Sequence, residues 1–215
     1  MYPVTLSLVG RRCLVVGGGA VARHKVLGLL REGAHVTVVA PHVAVEIEER
    51  ASDERLVLEK REYRSGEAAS YALVIAATSE RGVNRQVFED SEAAGVWVNV
   101  ADDPELCSFH LPARVRRGLL EIAIGSGGRA PFAASRMRQL LETRFGPEWA
   151  DWAEAAAGFR EAARALKLTE AERNAAFDRF FAGTVDPETL QARVPSHDET
   201  DAWLASGEPP AGEGS

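Results

Sequence analysis

The chain has few cysteines, no long apolar run and no excess of basic charge, and each shortage removes a class of protein. Two cysteines among 215 residues, Cys13 and Cys107, cannot build a disulfide framework or a metal-ligand spacing. Cys13 reads as a small buried apolar residue. The five histidines, at 24, 35, 42, 110 and 197, are scattered, so no metal site is expected. No apolar stretch reaches membrane-spanning length, and "MYPVTLSLVGRR" lacks the basic region and apolar core of a signal peptide. A net charge of −7 argues against a surface that coats nucleic acid or an anionic membrane. The expectation is a cytoplasmic protein that contacts neither.

What is present is unevenly spread. Between Leu111 and Phe145 stand Arg114, Arg116, Arg117, Arg129, Arg136, Arg138 and Arg144, opposed only by Glu121 and Glu142, while the chain from Gly146 onward is acidic. An arginine-rich middle in an acidic protein points to a local anion site rather than a polyanion track.

The first half alternates between two periodicities. Arg12–Val16 is a continuous apolar strand, followed by a glycine turn and a helix over Ala20–Arg31 that stops at Gly33. Strands follow at 35–40, 56–61, 72–78 and 96–101, with a polar helix at 44–53 and another helix at 82–95. This rhythm calls for a parallel sheet covered on both faces, with right-handed crossovers giving the order 3-2-1-4-5. After Asp103-Pro104 it changes. "SFHLPARVRRGLLEIAIGSGG" reads as two extended segments around a turn, too close for a crossover helix. Helices are expected over 131–145, opened by Pro131, and over 149–166 and 169–181.

The fold class is therefore α/β: a Rossmann-like doubly wound sheet, a small strand-and-helix module, and a helical C-terminal region. The expected boundaries are 1–112 for the dinucleotide-binding domain, 113–145 for the module, 146–205 for the helical region and 206–215 for a disordered tail. The two extended segments make too small and too apolar a hairpin to stand alone, so the module is expected to pair with a second copy as a homodimer.

The glycine turn carries the first chemistry. Gly17-Gly18-Gly19-Ala20-Val21-Ala22 fits G-x-G-x-x-A between a strand and a helix. Gly17 makes the tight turn, Gly19 admits a pyrophosphate to the backbone, and Ala22 keeps helix and strand close. The helix N-terminus then presents N–H groups to the anion. The acidic residue that commonly ends the second strand to hold the ribose is missing; Ala40, Pro41 and His42 stand there, and no Arg or Lys nearby argues for a 2′-phosphate. Residue chemistry leaves NAD and NADP both open.

"VVGGGAVARHK", "GAHVTVVAP", "AATSERGVN", "VNVADDPELCSFHLPA" and "AIGSGGRAPFAASRMR", in that order, resemble the precorrin-2 dehydrogenase family, which includes the dehydrogenase and ferrochelatase module of siroheme synthase. The likeness covers about residues 1–145 and is most specific over 98–113. It implies oxidation of precorrin-2 to sirohydrochlorin with NAD as hydride acceptor, a dimerisation region after the Rossmann domain and, in some members, insertion of ferrous iron. By the same resemblance Asp102 takes the place of the family's catalytic aspartate. Ala20, Val21, Pro41 and His42 fall at cofactor contacts, and Ser126 matches a serine phosphorylated in some members. The family often has Arg-Lys where this chain has His24-Lys25. The methyltransferase domain of siroheme synthase is not in this sequence, which is therefore not expected to make precorrin-2.

Residue chemistry adds to the resemblance. Asp102 follows the fifth strand, at the sheet edge where doubly wound folds bind ligands, and a carboxylate there can accept the proton that accompanies hydride loss. It could equally be a solvated Asp-Asp-Pro turn, with Asp103 as the turn residue. Ala77, Thr78 and Asn84 are further cofactor candidates. Asn99, Ser108 and His110 are candidates for the substrate side. Arginine forks match carboxylates bidentately, so Arg114, Arg117, Arg129 and Arg136, with Ser126, complete the substrate set, Arg116 and Arg138 standing beside them. Two other readings stay open: a regulatory domain that senses NAD without catalysis, and a dehydrogenase of another polycarboxylate.

Overall fold

The computed structural model describes residues 2–50 and 52–205; the expected tail at 206–215 lies outside them. By internal contacts the chain divides into two units. One is residues 2–111 with 127–129, the other residues 112–126 with 130–205.

The first unit is a five-stranded parallel sheet. Its strands are β1 (Arg12–Val16), β2 (His35–Val39), β3 (Leu56–Glu59), β4 (Leu73–Ala76) and β5 (Trp97–Val100), in the order β3-β2-β1-β4-β5. The doubly wound order read from the sequence is borne out. In-register pairing places Cys13 beside Val36 and Leu73, and Leu14 beside Thr37 and Val74, so alternate residues build two different faces. One face packs Cys13, Val15, Val36, Val38 and Ile75 against Ala22, Val26, Leu29 and Leu30 of α1 (Ala20–Arg31). The other packs Leu14, Val16, Val74, Ala76, Val98 and Val100 against Val87, a residue of α3 (Arg81–Ala94). A fully buried Val or Leu contributes roughly 1.5–3 kcal/mol, and this double layer holds the strand ends at fixed positions.

Two expectations are corrected here. The polar helix at 44–53 shrinks to α2 (Val45–Glu48). The chain then turns at Asp53, whose carboxylate accepts from the backbone N–H and guanidinium of Arg55. β3 stops at Glu59, because the Arg61 guanidinium is drawn between Glu59 and Glu67. The crossover from β3 to β4 holds only a 3-10 turn at Glu67–Ser70, pinned by Asp90, which accepts from Tyr63 and the Gly66 N–H. Without a crossover helix, the face of β3 that carries Val57 is not covered, and Val57 is 52% exposed.

The second unit begins with an antiparallel hairpin, β6 (Ala113–Arg117) and β7 (Leu120–Ile124). It continues with α4 (Pro131–Arg144), α5 (Glu148–Ala165) and α6 (Glu170–Thr184). Thr169 and Glu172 form a reciprocal capping box at the start of α6. A two-residue pairing of β8 (Val185–Asp186) with β9 (Gln191–Ala192) and a last helix α7 (His197–Ala205) were not foreseen. In the core Phe159 contacts Phe177, Phe180 and Trp203, beside the buried Ala163, Ala175 and Ala176. Among the described residues no helix is long and apolar enough to cross a membrane.

Candidate functional site

The glycine turn closes the carboxyl end of β1 through backbone contact. Gly17 sits at φ +122°, and a Cβ there would overlap the carbonyl oxygen of Ala77 at the end of β4. Only glycine combines that dihedral with that approach. A Cβ on Gly18 would overlap the carbonyl of His42, and the Ala44 N–H donates to Gly18 O at 2.8 Å. The sequence reading gave Gly18 no role; the 42–44 segment lying on it is the reason it must be glycine. Gly19 differs, because a Cβ there would meet nothing within 4 Å. Gly19, Ala20 and Val21 are exposed, as are Pro41 and His42. The first turn of α1 contains no acidic side chain. Open space above Gly19, bare N–H groups and an uncompensated helix dipole fit the pyrophosphate of a dinucleotide.

Past β4, Thr78 and Asn84 hold one another. The Thr78 N–H and hydroxyl donate to Asn84 Oδ1 at 3.3 and 3.1 Å, and Asn84 Nδ2 donates back to Thr78 O at 3.0 Å. Asn84 is thus buried in shaping the β4–α3 loop. Asn99 does the same beyond β5, donating to Phe109 O at 3.0 Å. The Ser108 hydroxyl accepts from the Val98 N–H at 2.8 Å. Together these bonds fold residues 107–109 back on β5.

Between the two strand ends lies a cavity of about 170 Å³ lined by Thr78, Ser79, Arg81, Asn84, Ala101, Asp102, Asp103 and Leu106. Asp102 is exposed and sits at φ +61°, a left-handed conformation that Asp and Asn tolerate better than other side chains. Among the described residues nothing hydrogen-bonds its carboxylate. Asp103 takes another part, its carbonyl accepting from the Leu106 N–H and the Cys107 thiol. Lys25 on α1 is half-buried within the field of Asp102 and Cys107. Burial lowers its ammonium below the usual lysine value, and those two groups raise it again. Burial also pushes the Cys13 thiol up to about 11, as expected of an inert core residue.

The remaining nominated residues divide between the units. His110 and Arg129 belong to the first, where a Cβ on Gly128 would lie 3.0 Å from the His110 ring. Arg114, Arg117, Ser126 and Arg136 belong to the second. There Arg117 caps α4, donating to Phe145 O at 2.7 Å and Glu142 O at 3.1 Å. Arg114 faces Glu121 at 3.5 Å, Arg138 pairs with Glu142, and Arg136 donates to Gln139 at 3.1 Å. Ser126 accepts from the Ala130 N–H ahead of α4. Each of these groups has a partner within its own unit.

The family model for NAD(P)-binding domains matches residues 4–113, just over half of the chain. The chain belongs to this family. Membership in the NAD(P)-binding family agrees with the turn at Gly17–Gly19 and extends over the whole sheet unit. The chain is 36% identical to the siroheme synthase of Neisseria meningitidis over 182 residues, which is 85% of this chain and 38% of that protein. It is 36% identical over 191 residues to the siroheme synthase of Methylobacillus flagellatus, covering 89% and 41%. To that of Nitrosococcus oceani it is 42% identical over 141 residues, covering 66% and 30%. The chain thus spans about two fifths or less of the length of these relatives. Among solved structures, SirC, a precorrin-2 dehydrogenase, superposes with a TM-score of 0.74 at 25% identity, covering 95% of this chain and 97% of that one. The resemblance read from the motifs is borne out.

Two groups near the turn escaped the sequence reading. Arg23, on the first turn of α1, pairs with Glu46 on α2 at 3.0 Å. Arg81, the first residue of α3, lines the Asp102 cavity. Both lie inside quoted stretches, Arg23 in "VVGGGAVARHK" and Arg81 in "AATSERGVN", but neither spacing marked them; the topology brings them to the site.

Proposed function

We propose that this chain is an NAD-dependent dehydrogenase that oxidises precorrin-2 to sirohydrochlorin in siroheme biosynthesis. The observation that carries the reading is the position of Asp102: an exposed carboxylate on the cavity between the ends of β4 and β5, in the same unit as an open glycine turn. Similarity to siroheme synthases and to SirC supports the substrate class.

The oxidation removes a hydride and a proton. A bound nicotinamide supplies the hydride acceptor. Gly17 and Gly18 hold the turn in shape, Gly19 leaves space for the pyrophosphate, and the α1 N–H groups bind it. Thr78 and Asn84 fix the loop on the far side of the crevice. Asp102 takes the proton and acts as general base. Arg81, on the same cavity, and Arg129 offer guanidinium groups to the carboxylates of the tetrapyrrole.

In a chelatase reaction the same carboxylate would accept pyrrole N–H protons as ferrous iron, a substrate, enters. This lyase activity shares the site rather than requiring another. A cytoplasmic location suits two cysteines that stand as free thiols. The second unit supports a homodimer: α4 leaves Phe132 76%, Met137 47% and Leu140 53% exposed. Sedimentation at micromolar concentration is expected to give a dimer, and a monomer would exclude it.

Anaerobic incubation of the protein with precorrin-2 and either NAD or NADP tests the function, with reduced nicotinamide and sirohydrochlorin followed together. Stoichiometric appearance of both with NAD is the expected result. Binding of NAD without turnover would favour the sensing domain. Reduction of NAD by another polycarboxylate alone would favour the third reading.

A further inference from the structure

The choice between NAD and NADP turns on a single phosphate on the adenosine ribose. Doubly wound sites hold that ribose just past the second strand, commonly with an acid, and accommodate a 2′-phosphate with a nearby arginine. Here the strand ends in Ala40, Pro41 and His42, which supply neither group. The structure brings both from elsewhere. The 42–44 segment lies on Gly18, so α2 starts beside the glycine turn, at the end of the sheet where α1 also starts. Glu46, in the first turn of α2, accepts from Arg23 Nη1 at 3.0 Å. Arg23 Nη2 lies 3.4 Å from His24 Nε2. Its Nε is buried with no partner among the described residues. The guanidinium thus stands beside the segment that follows the second strand, and it is already engaged by a carboxylate.

We infer that Glu46 makes this site selective for NAD over NADP by neutralising Arg23 and setting a negative charge where the 2′-phosphate would lie. The inference rests on the dinucleotide reading above. A 2′-phosphate adds a charge of about −1.5 to −2, so an adjacent carboxylate repels it, and a free arginine fork would bind it in two-point fashion. The ion pair itself is weak, being one-third exposed on the Arg23 side and half exposed on the Glu46 side. The discrimination comes from the charge on Glu46, and removing that charge releases a guanidinium that needs little rearrangement.

Titration calorimetry of the full chain with NAD and with NADP tests this on binding alone, with circular dichroism holding each variant to the wild-type fold. The wild type should prefer NAD by roughly tenfold or more. Glu46→Gln should raise NADP affinity about tenfold and leave that for NAD unchanged. Adding Arg23→Gln to that variant should abolish the gain. An unchanged NADP affinity in Glu46→Gln overturns the inference, as does a wild type that prefers NADP. A loss of NAD affinity in Glu46→Gln also overturns it and makes Glu46 a ribose ligand. If the wild type binds neither nucleotide, the dinucleotide reading itself falls, and this inference with it.

Discussion

In the sheet unit the fully buried side chains are aliphatic and mostly β-branched: Val15, Val26, Val38, Ile47, Val74 and Val98, with Leu14, Ala22 and Ala76, are all at 0% exposure. In the helical unit Ala163 and Ala176 at 0% sit among rings that supply the bulk, with Trp149 at 4%, Phe159 at 5% and Phe180 at 4%. The two solutions suit different tasks. Short β-branched residues let α1 press against parallel strands, so backbone atoms at the strand ends come within contact of one another. Large rings bury 150–250 Å² each, by general measure, and can hold helices together without close backbone approach. The sheet unit should therefore fail by single atoms out of place, and the helical unit by lost bulk.

Two glycines of the same turn give the largest expected effects. Gly17→Ala, at φ +122° against the Ala77 carbonyl, should destabilise the sheet unit by several kcal/mol, visible in the fluorescence of Trp97. Gly19→Val, at a position where a Cβ meets nothing within 4 Å, should fold with a loss of about 1 kcal/mol or less from the cap position. It should nevertheless abolish NAD binding in calorimetry, because it fills the space left for the pyrophosphate. Normal NAD binding by a folded Gly19→Val protein would remove the turn from the site.

Asp102→Asn comes next. Asn keeps the left-handed turn while losing the base, so precorrin-2 turnover should fall by roughly 10²–10⁴-fold with NAD affinity and melting temperature nearly unchanged. Asp103→Asn should matter far less, since the carbonyl of that residue makes its structural bonds. Near-full activity in Asp102→Asn would leave the aspartate a turn residue. Loss of iron insertion alone would assign it to chelation.

Phe159→Ala sharpens the contrast from the other side. Removing a ring in contact with Phe177, Phe180 and Trp203 should cost about 3–5 kcal/mol, read by denaturant titration through Trp149, Trp152 and Trp203. NAD affinity measured below that transition should stay within about twofold. A parallel loss of NAD binding would show that the two units do not fail separately.

Much of this protein could be read before any fold was known, because its signals are local. The strand order, the glycine turn, the α1 stop at Gly33 and the β6–β7 hairpin all follow from periodicity and turn chemistry within a few residues. The helix predicted at 44–53 failed for a local reason too, since the chain turns at Asp53, whose carboxylate holds Arg55. What sequence could not show was which side chains remain available to a ligand. Asn84, Asn99, Ser108 and Arg117 all read as polar groups ready to bind, yet each is occupied by backbone carbonyls or N–H groups brought to it by the tertiary fold. The segment after the second strand offered no arginine, yet Arg23 reaches it from the helix before that strand. Local pattern determines where the chain turns and which face is apolar. Only the packing of distant segments decides which charges meet, because a hydrogen bond or an ion pair depends on spatial separation and carries no periodic trace in the sequence.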